Sequence, residues 1–392
     1  MSAAPERLFT PGPVEIPQRL LDALARRPPH HRSEVFKRLL AELHPRLCSL
    51  FGTSGRVVVL AASGTGGMEA AAASLVRPGE SVVVAVAGKF GERWVKILRA
   101  YGHAPRVVPG EWGQAVSPQA LESELAKAPA AAVFLTHSET STATLHDLRG
   151  QAEVARRRGA LVVSDVITSL AVHEFRQDEF QVDAAVGGSQ KGLMLPPGLA
   201  LVGLSERALA RLEAAEGEHS PAFYLDLRRA AASAAKDDTP FTPAVSLILA
   251  LDESLRMIEA IGLPAVWQRH AAIAAAIRAG AQAAGFVLFS QAPADSVTAL
   301  IPPAGISPKR ILDHCYAERR FVLAGGQDAL REKILRIGHM GLAYGPDDAR
   351  AVVEALVASL AAQDLTIQPD LALRAVARSL KEIPCESSSP TR

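Results

Sequence analysis

Lys191 stands in GGSQKGLMLPPG, a lysine among glycines and apolar residues directly after an apolar run. Partial desolvation lowers a lysine's pKa and favours Schiff-base formation with a carbonyl; an exposed loop lysine could carry the same letters. Asp165 closes LVVSDV, the end of a predicted strand. Ligands of open α/β sheets sit outside the carboxyl ends of the strands. A carboxylate there can pair with a protonated pyridine nitrogen and keep the ring an electron sink, or it can simply cap the next turn. Ser63–Gly64–Thr65–Gly66–Gly67 lies between a predicted strand and a predicted helix. Glycines there let backbone N–H groups approach a phosphate at a helix N-terminus; a tight turn with a Ser or Thr cap is the plainer alternative. No Gly-Lys-Ser/Thr follows, so this is not a P-loop. Arg336, in KILRIG, is flanked by Leu335 and Ile337. A guanidinium among apolar neighbours needs an anion, either a substrate carboxylate held by its planar fork or a structural carboxylate. Phe90, in AGKFGERW, could stack on a flat ring or fill a core.

These residues need elements to hold them. Arg56–Ala61, Ser81–Val86, Ala131–Thr136, Leu161–Asp165 and Val182–Gly187 are short apolar runs that read as buried strands. Helices are predicted between them, through Val76 after the glycine turn and over Arg93–Tyr101 and Leu148–Arg158. Strands alternating with helices imply a mostly parallel α/β sheet. Gly198–Leu204 follows Lys191 after too short a loop for a parallel crossover, so it is expected antiparallel. Leu8–Pro17 is Pro-rich and should be extended. Ser33–Phe51 and Ala244–Ile261 read as helices, and Gly262–Pro264 as a break before another Ala-rich helix. Ser296–Ile301, a helix from Ser307, the strand Lys333–Gly338 and a helix from Pro346 suggest a smaller α+β domain. The expected division is an extended segment over 1–15, a large domain over 16–261, a small domain over 262–365 and a tail over 366–392.

The order of these motifs resembles the class V aminotransferases of pyridoxal 5′-phosphate (PLP) fold type I, in the branch holding alanine–glyoxylate, serine–pyruvate and serine–glyoxylate enzymes. The resemblance runs from about Leu8 to about Leu360 through LFTPGP, ASGTGGMEAA, AGKFGER, FLTHSETST, SDVITSL, GGSQKGLMLPPG, DDTPFTPAVSL and KILRIGHMG. It implies a seven-stranded, mostly parallel sheet with helices on both faces. It also implies that Lys191 carries PLP and shuttles a proton, that Asp165 binds the pyridine nitrogen and that Phe90 stacks on the ring. Ser63, Gly64 and Thr65 would hold the phosphate, Gln190 would assist at the cofactor, and Thr140 would lie near the ring hydroxyl or the substrate. Arg336 would take the substrate α-carboxylate. Thr242 would reach the phosphate from the partner subunit of a homodimer. Small donors such as alanine or serine, with glyoxylate or pyruvate as acceptor, are the expected substrates; aspartate, phosphoserine or a specialised amine are alternatives. Ser141–Thr142–Ala143 stands where many relatives have Ser-Thr-Gly, and Thr65 where some have His.

The remaining features narrow the field. Lys and Arg number 42 against 41 Asp and Glu, a balance that gives no reason to invoke nucleic acid or an anionic membrane. No stretch resembles a signal core or a membrane span. Cys48, Cys315 and Cys385 are far apart and show no metal spacing, so no metal is expected and a reducing cytoplasm fits. A cysteine desulfurase would need a mobile thiol, but Cys315 lies in PKRILDHCYAERR, which reads as a helix. A scaffold that had lost catalysis would not keep a competent residue at every expected position. His31 and Arg32 could reach the site from the N-terminal side or be solvated residues before a helix.

Overall fold

The computed structural model describes residues 5–215, 220–365 and 367–381. Its centre is a seven-stranded sheet. In chain order the strands are β1 (Arg56–Leu60), β2 (Val82–Val86), β3 (Arg106–Pro109), β4 (Ala132–Thr136), β5 (Leu161–Asp165), β6 (Ala184–Gly188) and β7 (Ala200–Leu204). Their spatial order is β1-β7-β6-β5-β4-β2-β3. The strand β7 is antiparallel to both β1 and β6, as its short connection from Lys191 requires, and the other pairings are parallel. Successive residues feed opposite faces. Val57, Val83, Val133, Val162 and Leu201 enter one core, and Val58, Val84, Phe134, Val163 and Val202 the other. Both faces are covered, which is why the strands read as unbroken apolar runs.

Two helices matter most for the site. The first, α1 (Gly64–Leu75), starts earlier than the glycine pattern suggested, so the glycines form its first turn. Gly67 lets this helix approach the sheet: a Cβ there would lie 2.8 Å from Val186 and 3.0 Å from Ala200. The second, α2 (Lys89–Ala100), also starts earlier than expected and takes Phe90 into its first turn. Trp94 anchors α2 to β4. Its ring lies 5.0 Å from that of Phe134, and its indole N–H donates to the Leu135 carbonyl at 3.0 Å. A fully buried Trp in such a position is worth about 3–5 kcal/mol relative to Ala, so the start of α2 is held firmly.

The small domain carries an antiparallel four-stranded sheet, Val287–Leu288, β8 (Val297–Ile301), β9 (Leu335–Gly338) and Ala324–Gly325. The N-terminal segment is extended as expected, yet it belongs with this domain. Arg7–Leu8 pairs in parallel with Phe321–Val322, and the Gly338 N–H donates to the Phe9 carbonyl at 2.7 Å.

The tail expected over 366–392 is corrected in part. Pro369–Lys381 is a helix whose Ala372 and Val376 are buried. It lies where Gly280 leaves room, since a Cβ at Gly280 would meet Val376 at 2.6 Å. Its apolar face had been hidden among charged residues. The closing ESSSPTR and Cys385 lie outside the described residues. Among the described residues no helix is long and apolar enough to cross a membrane.

Candidate active site

The residues singled out by chemistry meet at the carboxyl end of the sheet. Asp165 is the last residue of β5, with its neighbours Thr136 and Val186 in register. Its Oδ1 accepts from the Ile167 N–H at 2.8 Å. Among the described residues no cation is in ion-pair contact with it. Burial pushes its carboxyl up to about 7, against the pull of the Ile167 bond. Lys191 follows β6, and its Nζ donates to the Pro11 carbonyl at 2.5 Å. Burial lowers its ammonium to about 8, although the nearby Asp165 acts in the opposite sense. A desolvated amine close to neutrality suits nucleophilic attack on a carbonyl.

Ser63 is the N-cap of α1, yet its side chain makes no capping hydrogen bond. That removes the plainer reading of the serine and leaves its hydroxyl and the first N–H groups of α1 for an anion. Thr65 accepts from Arg93 at 3.1 Å, and the Arg93 guanidinium lies 4.7 Å from the centre of the Phe90 ring. Oε1 of Gln190 is buried without a partner among the described residues. A Cβ on Gly188 would lie 3.2 Å from that oxygen and 3.7 Å from Cα of Gly64.

Thr140 is buried in the turn of the hairpin Ser138–Glu139 and Thr144–Leu145. Its hydroxyl lies 3.1 Å from that of Thr168. The Thr140 carbonyl accepts from Nη1 of Arg336 at 3.1 Å, and the Gly325 carbonyl accepts from Nε at 3.0 Å. Arg336 is therefore buried on β9 with no carboxylate in ion-pair contact among the described residues. Its register partners on the two flanking strands are alanines, Ala299 and Ala324, which leave space beside it. Burial lowers its guanidinium to about 10, with Glu139 acting against this.

Four contributors escaped the sequence. Pro11 supplies the acceptor for Lys191. Gly12 has φ +121°, and a Cβ there would lie 2.3 Å from the lysine Nζ, so glycine is required on two counts. Arg93 links Thr65 to the Phe90 ring. Glu139 is fully buried and ties two loops together. LFTPGP signalled an extended segment but not its destination. Ala143 has φ +57°, a left-handed conformation that explains why glycine suits this position.

The structure brings Lys191, Asp165, Ser63, Gly64, Thr65, Phe90, Thr140, Gln190 and Arg336 to one end of the sheet, and leaves Thr242 apart. Thr242 is exposed in the loop before the helix Val245–Ile261. Arg32 donates to Asp238 and to the Thr239 carbonyl of that same loop, and the His31 ring packs at a tilt against that of His30, 4.6 Å between centres; among the described residues neither touches the Lys191 cluster. Cys315 is buried in the helix Pro308–Arg319 beside Ser359, as its helical context implied. Among the described residues no group of three or more His, Cys, Asp or Glu side chains is placed to hold a metal ion.

A mostly parallel seven-stranded sheet covered on both faces, beside a four-stranded antiparallel sheet, is the fold of the PLP type I aminotransferases. Residues 17–331 match the family model described as Aminotransferase class-V, and the chain belongs to that family. It is 39% identical to a protein named soluble hydrogenase, small subunit, from Synechococcus sp. (strain PCC 6716), over 90% of this chain and 92% of that one. It is 36% identical to L-aspartate–glyoxylate aminotransferase of Paracoccus denitrificans (strain Pd 1222), covering 85% of this chain and 86% of the relative. The crystal structure of ureidoglycine–glyoxylate aminotransferase from Bacillus subtilis superposes with a TM-score of 0.93 at 28% identity, over 97% of this chain and all of that one. Arg336 lies just beyond the residues that the family model matches.

Proposed function

We propose that this enzyme binds PLP at Lys191 and moves an amino group from a small, alanine- or serine-like amino acid to a 2-oxo acid, glyoxylate or pyruvate. The observation that carries the proposal is the convergence of a desolvated Lys191, a desolvated Asp165 without an ion-pair partner, and a buried Arg336 with no carboxylate of its own. The residues present fit PLP. The start of α1 with Ser63, Gly64 and Thr65 would hold the phosphate, and Arg93 and the orphaned Gln190 oxygen lie at the same end. Asp165 would accept from the ring nitrogen, Phe90 would flank the ring, and Thr140 would border its hydroxyl. When bound, PLP condenses with amines and withdraws electrons from the carbon that carries the nitrogen.

The side chains do the rest. A protonated pyridine nitrogen would give the buried Asp165 carboxylate a cationic donor and favour its ionised form. Lys191 Nζ, whose pKa burial brings down to about 8, could take the proton from the donor's Cα and, in the second half of the reaction, give one to the Cα of the product amino acid. Arg336 uses two of its five donors on backbone carbonyls, which fix the guanidinium plane; the others remain for a carboxylate. Both substrates carry that carboxylate, so one arginine serves donor and acceptor in turn.

Arg336→Lys is expected to lower kcat/KM for donor and acceptor together by roughly 10- to 150-fold, the equivalent of about 1.5–3 kcal/mol for a charge-assisted contact. PLP affinity should be retained. The control is an amine donor lacking the carboxylate, whose slow reaction should be indifferent to the substitution; equal losses for both donors would make Arg336 structural. The name of the Paracoccus relative favours aspartate as a second donor. A panel of amino donors against glyoxylate, pyruvate and 2-oxoglutarate separates the readings. The exposure of Thr242 supports a homodimer in which it serves the partner's phosphate site, and sedimentation as an active monomer would exclude this. The free Cys48 and Cys315 are in keeping with a reducing cytoplasm.

A further inference from the structure

The Glu139 carboxylate is wholly buried, and both of its oxygens are in use. Oε2 accepts from the Phe90 and Gly91 N–H groups at 3.0 and 3.1 Å. Oε1 accepts from the Ser141 N–H at 3.2 Å and from the Ser141 hydroxyl at 2.5 Å. Burial pushes the Glu139 carboxyl up, and all four partners donate, which favours the ionised form against that push. One oxygen caps the start of α2, whose own N-cap residue, Gly88, has no side chain to do so. The other closes the turn that carries Thr140. Ser141 reinforces the join, because its hydroxyl also accepts from the Lys89 N–H at 3.1 Å. The same turn holds Arg336 through the Thr140 carbonyl.

We propose that Glu139 is a positioning residue, a pin that fixes the Phe90 helix start and the Thr140 turn against each other so that both meet the cofactor in register. This rests on the PLP reading above, in which Phe90 and Thr140 face the ring. Gly88 belongs to the same device: a Cβ there would lie 2.5 Å from Cδ of Glu139 and 2.6 Å from the Ser141 hydroxyl. Gly88 has extended backbone at φ 168°, so an added methyl acts by contact alone.

The test is PLP affinity of the apoprotein, measured by equilibrium dialysis, with the visible circular dichroism of the bound chromophore and the melting temperature read in parallel. Glu139→Gln turns one acceptor into a donor facing donors. It should raise the PLP Kd about 10- to 100-fold, as expected for charge-assisted hydrogen bonds, and change the dichroic band. Glu139→Asp keeps the charge and should recover part of the affinity. A Glu139→Gln protein that melts lower but binds PLP with parental affinity and an unchanged band would overturn the proposal. Should that variant fail to fold, Gly88→Ala decides. A raised Kd supports the pin, and an unchanged Kd in folded protein refutes it. Parental protein that does not take up PLP would instead refute the cofactor reading itself.

Discussion

Lys191→Ala abolishes turnover while the protein still folds: this is the largest single effect expected. The substitution removes both the nucleophile that would hold the cofactor and the base beside the donor's Cα. General acid–base work alone typically contributes 10²- to 10⁴-fold, and loss of the covalent attachment adds to it. Folding should survive, because the change removes a desolvated amine whose one hydrogen bond among the described residues is to the Pro11 carbonyl. Borohydride reduction of parental protein followed by peptide mapping should place the pyridoxyl group on Lys191. A label on any other lysine would sink the assignment.

Asp165→Asn should separate catalysis from stability. The Asp165 carboxylate is buried, accepts a hydrogen bond from the Ile167 N–H and has no ion-pair partner among the described residues. Replacing it with a neutral amide relieves a desolvation cost, so the melting temperature of the apoprotein should hold or rise. With the cofactor present, the same change removes one half of a buried charge pair. Such a loss is about 3–5 kcal/mol, or roughly 100- to 5,000-fold in rate. Half-reaction rates measured with each substrate alone, set beside melting temperatures, give both quantities. Unchanged transamination in a folded variant would mean that Asp165 does something else.

Lys191, Asp165 and Arg336 were legible because each adjoins a strand whose apolar letters set its depth. A charged residue beside a buried run has few ordinary roles. Glu139 offered no such mark: its partners Phe90 and Gly91 lie 49 and 48 residues away, and on a polar turn it reads as a surface acid. Pro11 is more remote still, 180 residues from the lysine it meets. The strand Arg106–Pro109 was missed because it is an outer strand of the sheet and keeps three of its four residues at least partly exposed. Edge strands tolerate the proline and polar letters that central strands exclude. The helix Pro369–Lys381 was missed because its apolar stripe is narrow. Local letters thus carried the chemistry, while contacts between distant segments carried its alignment.

The N-terminal strand also orders events in time. Residues 7–9 find their partners at 320–322 and 338, and Tyr344 donates to the Leu8 carbonyl. The ribosome makes the whole seven-stranded sheet, and with it Asp165 and Lys191, before any of those partners exists. Residues 7–9, made before the sheet, are therefore among the last to dock. Until about residue 344 has emerged, the Pro11 carbonyl has no framework to hold it over Lys191. The nascent chain carries the Lys191 amine unroofed, and the segment around 320–344 supplies the roof by capturing a strand made before the sheet.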